Sequence, residues 1–312
     1  MSLSDFRLRL PATSANLGAA FDTAAVALDF HLTVEAEAAA EFSIAASGRD
    51  AELCGKIENN LILETYSALL RREGRAVTPL ALRMDNQIPL GMGCGSSAAG
   101  RLMAIALAVH FGRLGWSSEA ILEEACAQEG HPDNASACWL GGMVVAASED
   151  KAIHVARVEP AAAWRVLLVM PKAGLATSKA RAVLPWEYSR ADAVANIQAA
   201  ALLGLAFAQG RGELLRPAMA DRMHQSYRAE ICPLLAPLLP LAGSDGVLGV
   251  ALSGAGPSVL LILDGEGAIS GATAAVSHAL GVHALGTDCA AEIVATRFEG
   301  DGGAADWVRA GF

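Results

Sequence analysis

Basic charge is scarce in this 312-residue chain: 23 Lys and Arg stand against 33 Asp and Glu, a net charge of −10 with a pI near 5.2. A protein that neutralises a phosphate backbone needs a basic surface. Nucleic acid is therefore excluded as a partner, and any anionic ligand must be held by a few local arginines. Long apolar runs are also lacking. None approaches 18 residues, and Asp5, Arg7 and Arg9 precede any long apolar region, so neither a secretory leader nor a membrane span is expected. The six cysteines, at positions 54, 94, 126, 138, 232 and 289, form no C-x-x-C pair and no Cys/His cluster. Zinc sites and disulfide frameworks are set aside on that ground, and buried thiols in a cytoplasmic, reducing setting are expected. What is abundant is apolar: 53 % hydrophobic against 18 % charged residues excludes disorder. The length suggests two domains.

Residues 89–99, Pro89-Leu-Gly91-Met-Gly93-Cys94-Gly95-Ser96-Ser97-Ala98-Ala99, set three alternate glycines and two serines between a strand-like run and a long apolar helical run. Glycine tolerates positive φ and has no Cβ, so backbone N–H groups can converge on a polyanion while the following helix presents its unpaired N–H groups. The loop thus predicts a phosphate cradle. No lysine follows Gly95, which excludes a Walker A loop.

Period-two alternation in Phe6-Arg7-Leu8-Arg9-Leu10 and in parts of 27–36 predicts strands flanking a loop over Pro11–Asp22. Asn60 is placed to cap a helix through Arg72, and Leu80–Met84 reads as a strand entering the glycine loop. Ser96–Leu114 reads as a buried helix, and Ser118 as the cap of another running to Gln128, which leaves Glu129 and His131 at a helix end. Strands are expected over 141–158, 165–170, 247–252 and 259–263, and helices over about 190–209, 211–222, 232–241 and 268–280. Strands and helices mixed in both halves imply an α+β architecture.

Three further segments carry a resemblance: Pro11-Ala-Thr13-Ser14-Ala-Asn16-Leu-Gly18-Ala-Ala-Phe21-Asp22, Glu129-Gly-His131-Pro-Asp133-Asn134 and Leu252-Ser253-Gly254-Ala-Gly256-Pro257-Ser258. With the glycine loop, in this order, they resemble the GHMP small-molecule kinases. The His-Pro-Asp-Asn form, Thr177-Ser-Lys179-Ala-Arg181-Ala-Val-Leu-Pro185 and His224-Gln-Ser-Tyr-Arg228 narrow the resemblance to the homoserine kinase branch. Ala19-Ala20 stands where that pattern usually has Pro-Gly, Cys94 where leucine is usual, and Ala135-Ser136-Ala137 where Val-Ala-Pro is common. None of these departures removes a charged or amide side chain.

The resemblance implies a two-domain GHMP fold, with an N-terminal part like ribosomal protein S5 domain 2 (1–158) and a ferredoxin-like C-terminal part (159–312). It also implies a homodimer, and an ATP- and Mg²⁺-dependent transfer of phosphate to the hydroxyl of a small amino acid. Pro89, Gly91, Gly93, Cys94, Gly95, Ser96, Ser97 and Ala98 are then the nucleotide's phosphate site, with Asn60 near its adenine or ribose. Glu129 is the expected Mg²⁺ ligand, joined by Ser96 or Ser97, because hard cations on phosphates take one or two protein oxygens; on spacing alone it is a solvated helix-end carboxylate. For a zwitterionic substrate, Arg181 and Arg228 suit the carboxylate, Asp22 and Asn16 the ammonium. His131, Thr177 and Gly254 complete the pocket. Asn134 stands where related kinases place an aspartate, and an amide cannot act as a base, so Glu129, Asn134 and Asn16 are expected to work by positioning and electrostatics. Two alternatives are a GHMP kinase for a different alcohol and a non-catalytic binding protein of the same fold; the paired arginines oppose the first, and the retained Glu129 and serines the second.

Overall fold

The computed structural model describes residues 6–150, 152–283 and 291–309. The first sheet holds β1 (Phe6–Asn16), β2 (Ala20–Ala38), β3 (Ser43–Gly48), β4 (Leu80–Asn86), β5 (Met143–Glu149) and β6 (Ala152–Val158). Its order is β3-β4-β2-β5-β6, with β1 also on β2, and only β3 and β4 run parallel. The second sheet is built from β7 (Arg165–Pro171), β8 (Val247–Leu252), β9 (Val259–Leu263) and β10 (Ala291–Thr296), in the order β10-β7-β9-β8.

The alternation in β1 does what its pattern predicts: Phe6, Leu8 and Leu10 are buried while Arg7 and Arg9 face outward, as a half-covered sheet requires. The Ser96–Gly112 helix lacks such a polar stripe, and Ala98 through Val109 is buried except at Arg101. A helix apolar on every side must be enclosed, and this one is packed between the Leu61–Arg72 and Ser118–Glu129 helices and β1. Its N-terminus is thereby held rigidly under the glycine loop. The Gly303–Arg309 helix returns to the first sheet, where Asp306 accepts the Arg9 backbone N–H.

Several boundaries differ from the sequence reading. The Pro11–Asp22 segment is mostly strand: β1 continues to Asn16, β2 begins at Ala20, and bulges fall at Pro11/Ala12 and Ala15/Asn16. The cap of the Ser118–Glu129 helix is Ser117, which accepts the Ala120 N–H, while Ser118 Oγ is taken by Trp139 Nε1. No continuous helix fills 211–222. A short turn over Gly212–Leu214 and another over Leu215–Ala218 end where the buried Asp221 carboxylate accepts the N–H groups of Met223, His224 and Gln225 and starts a new turn. Over 232–241, the prolines at 233, 237 and 240 remove donors and leave only the turns Leu235–Leu238 and Leu239–Leu241.

The Arg190–Gln209 helix forms as expected. By length and composition it is apolar enough to cross a membrane, although no uninterrupted apolar run marks it; in its most apolar 18-residue window 28 % is buried. Cys94, Cys126, Cys138 and Cys232 are buried free thiols and Cys54 is partly exposed; Cys289 lies outside the described residues.

Candidate active site

Backbone and hydroxyl hydrogen bonds sew the separate motifs into one site. Thr13 N–H donates to Cys94 O, Gly254 N–H to Ala15 O and Leu175 N–H to Gly91 O. Ser253 Oγ donates to Gly93 O at 2.7 Å and meets Ser14 Oγ at 2.9 Å. Asn16 bridges two segments: Nδ2 donates to Gly254 O at 2.8 Å and Oδ1 accepts the Asp22 N–H at 2.9 Å. Its amide is thus committed to holding Asp22 and the 253–256 turn in place.

Gly93 and Gly95 both have positive φ, 73° and 70°, and neither has room for a side chain. A Cβ on Gly93 would meet the Ser253 carbonyl, and one on Gly95 would meet Thr13 Oγ1. That hydroxyl donates to Asn134 Oδ1 at 2.7 Å, so the loop packs directly on the residue that sequence reading placed at the reaction centre. Cys94 contributes backbone only. Its side chain is buried and its thiol is pushed up to about 12 by burial.

Around this loop lie two cavities that share Ser96 and Ser97. The inner one, about 90 Å³, is lined by the 91–98 loop, Asn16, Phe21, Asp22, Glu129, His131, Asp133, Asn134, Thr177, Arg181, Arg228 and Gly254. The outer one, about 500 Å³, runs to Asn60, Leu61, Ile62 and Leu90. Asn60 also caps its helix, accepting from Ile62 and Leu63 N–H. Pro89 is buried and lines neither cavity.

Glu129, the last residue of its helix, meets Ser97: Ser97 Oγ donates to its Oε1 at 2.7 Å. Arg101 Nε donates to the same oxygen at 2.7 Å, a contact that sequence reading missed although Ser97 and Arg101 are one turn apart on a helix. The two side chains supply hard oxygen donors, which is the set Mg²⁺ takes.

His131, Asp133 and Asn134 form one hydrogen-bonded unit. Asp133 is 1 % exposed, and its Oδ1 accepts from His131 Nδ1 at 2.6 Å and from the Asn134 N–H at 2.6 Å. Burial pulls the His131 pKa down, but the Asp133 hydrogen bond and charge outweigh it and the net shift is upward. The cationic ring therefore adds stability that is fully present below its unfolded value and is lost as pH rises through the raised one.

The two arginines play different parts. Arg181 forms a bidentate pair with Asp22, at 3.0 and 2.7 Å, in a partly exposed position. Arg228 is 1 % exposed; Nε donates to Ala180 O at 3.0 Å and Nη1 lies 3.1 Å from His224 Nδ1. Its pKa is lowered, first by burial and then by the Arg181 charge. The Phe21 ring sits with a guanidinium carbon 5.5 Å from its centroid on either count, one from each arginine, a cation–π arrangement that screens two like charges.

The family model for the GHMP kinases N terminal domain matches residues 60–142, and that for the GHMP kinases C terminal domain matches 203–281. A homoserine kinase of Solibacter usitatus is 43 % identical over 266 residues, 84 % of this chain and 86 % of that protein. One from Deinococcus radiodurans is 38 % identical over 275 residues, 88 % of each chain. Among solved structures, a homoserine kinase from Cytophaga hutchinsonii superposes with a TM-score of 0.80 at 22 % identity, covering 97 % of this chain and 98 % of that one. The L. major mevalonate kinase in complex with R-mevalonate superposes with a TM-score of 0.69 at 12 % identity, covering 96 % and 98 %, a likeness of fold alone.

Proposed function

This chain belongs to the homoserine kinases of the GHMP kinase family, with their two-domain fold, and from that premise we propose how its site performs ATP-dependent phosphorylation of the homoserine side-chain hydroxyl, a step of threonine biosynthesis. The observation that carries the reading is the single inner cavity where the glycine loop faces the Asp22–Arg181 pair and Arg228. Partly exposed ion pairs contribute about 0–1 kcal/mol, whereas each charge-assisted contact to a substrate is worth ~1.5–3 kcal/mol. A zwitterion therefore displaces the pair with a net gain: its ammonium goes to Asp22 and its carboxylate to Arg181, with Arg228 fixed behind. Mevalonate-type alcohols lack the ammonium and cannot complete this exchange.

The outer cavity with Asn60 receives the nucleoside, and the loop N–H groups with the Ser96–Gly112 helix end receive its phosphates. Ser97 and Glu129 would hold Mg²⁺, which when bound offsets charge on the transferring phosphoryl group. Asn134, its amide oriented by Thr13 and Asp133, sets the substrate hydroxyl in line. No carboxylate serves as base, since Asp133 is spent on His131 and Asn134; the proton leaves to phosphate or solvent. The free cysteines and the ATP requirement support a cytoplasmic setting. The proposal includes a homodimer and a division of the chain at 158/159, which the two sheets support.

The decisive assay measures ADP release with homoserine, serine, threonine and mevalonate; homoserine is expected to be preferred, and equal rates with mevalonate would overturn the zwitterion exchange. Arg181→Leu is expected to raise the homoserine KM about tenfold or more, following the 1.4 kcal/mol-per-decade relation, with the ATP KM unchanged. A normal homoserine KM would remove Arg181 from the carboxylate site. Glu129→Gln is expected to lower turnover and to shift the Mg²⁺ dependence to higher concentration, because an amide is a poorer Mg²⁺ ligand than a carboxylate. An unchanged Mg²⁺ titration would reduce Glu129 to an anchor for Arg101.

A further inference from the structure

Among the described residues the outer face of the Arg190–Gln209 helix has no partner, yet it is apolar. Val194, Ile197 and Leu205 are 47 %, 67 % and 56 % exposed, and Ala201 and Ala208 are exposed on the same side. Large aliphatic side chains left this open in a row mark an interaction surface more often than chance exposure. The spacing identifies the partner. Measured from Ala201, the stripe falls at −7, −4, 0, +4 and +7, a pattern that reads the same in both directions. Such a stripe is complementary to a reversed copy of itself, which is what an isologous two-fold contact requires. We infer that this helix is the homodimer interface, packed antiparallel against the same helix of a second copy with the two-fold axis at Ala201.

In that register Ile197 of each copy packs beside Leu205 of the other, Val194 beside Ala208, and the small Ala201 lets the axes approach closely at the centre. The ends agree in charge. Arg190 and Asp192, at the start of one helix, come beside Arg211 and Glu213, just past the end of the other; Arg190 is exposed, and the Arg211–Glu213 pair is exposed as well. The helix dipoles also oppose each other favourably. Trp186, four residues before the helix, is 101 % exposed, a further large apolar side chain open to solvent beside the helix start. A lipid surface is the rival occupant for so apolar a helix. The observations favour a second copy: Arg190 and Arg211 with Asp192 and Glu213 give the face charges of both signs and no basic excess for anionic headgroups. The inner side of the same helix holds Asn196, whose amide donates to Ala19 O and accepts the Arg222 N–H, so pairing the outer side would also steady the segment that carries Asp22.

The experiment is light scattering with site-directed cross-linking on the full-length enzyme, and it does not depend on the kinase reading. The wild type is expected at twice the 32.1 kDa protomer mass. Ile197→Glu, which places two charges in the seam, is expected at the protomer mass with an unchanged circular dichroism spectrum. Under a short bis-maleimide, Ala201→Cys is expected to cross-link to its own copy. Val194→Cys alone is expected to stay uncoupled, and Val194→Cys with Ala208→Cys to couple, each judged against wild type. A wild type at the 32.1 kDa protomer mass, a dimer that survives Ile197→Glu, or cross-linking of the Val194→Cys single variant would overturn the proposal. So would co-sedimentation of the wild type with phosphatidylcholine–phosphatidylglycerol vesicles that is lost in Ile197→Glu, which would make the face a membrane contact instead.

Discussion

Gly95→Ala is expected to reduce kcat/KM by about a hundredfold or more, the scale on which a misplacement of ~1 Å at a reacting centre acts. Gly95 caps the Ser96–Gly112 helix at φ 70°, a conformation that costs an L residue about 1–2 kcal/mol. The backbone term is the lesser one. The added methyl would run into Thr13 Oγ1 and lie 3.2 Å from Asn134 Oδ1, so either the loop lifts from β1 or Thr13 rotates and releases Asn134. Both outcomes disturb the phosphate cradle and the hydroxyl's holder together. Adding Thr13→Ala separates collision from backbone strain: it removes the hydroxyl that is struck, so the double variant should regain part of the activity lost in Gly95→Ala. Kinetics with homoserine and ATP, with a thermal melt on each protein, provide the check. Near-normal kcat/KM in a folded Gly95→Ala enzyme would show that the loop does not need this close packing.

How far the sequence discloses the site depends on the range of the interaction that matters. Asn60 and the alternation of 6–10 are local signals, since a cap acts over three residues and a pleat over two, and both are realised. The glycine loop is legible for the same reason: three positive-φ positions beside a helix start have few other uses. The Thr13–Asn134 and Arg101–Glu129 contacts join residues 121 and 28 positions apart, and no periodicity announces them. Arg228 shows the limit from another side. Its guanidinium lines the inner cavity beside Arg181 while it also donates to the Ala180 carbonyl and lies against His224, and residue type alone does not announce the chain contacts that hold such a fork. The Leu215–Ala218 turn fails to become a helix because Asp221, two residues beyond the turn's last neighbour Met219, draws three backbone N–H groups into a competing cap. Helical period carries no trace of that competition.

The assignment of Asp133 as a holder and not a base leads to the second large effect. Removal of a general base costs typically 10²–10⁴ in rate, so Asp133→Asn discriminates only in combination. If Asp133 acts by fixing His131 and Asn134, then Asp133→Asn and Asn134→Ala break one unit, and the double variant should be little worse than Asn134→Ala alone, because residues that act together are non-additive. Each single change is expected to lower kcat about tenfold to a hundredfold, by loss of orientation of the hydroxyl. A base, by contrast, would add its own 10²–10⁴ on top of the Asn134→Ala loss. The buried geometry favours the first outcome: Oδ1 of Asp133 already accepts His131 Nδ1 and the Asn134 N–H at 2.6 Å each, and the Asn134 amide has its Oδ1 fixed by Thr13. Thr13→Val, which deletes that hydroxyl while keeping shape, should fall on the same non-additive branch. Single-turnover rates of the wild type, the two single variants and the double variant at saturating ATP and homoserine, with circular dichroism to confirm folding, settle it: multiplicative losses for Asp133→Asn and Asn134→Ala would make Asp133 the proton acceptor.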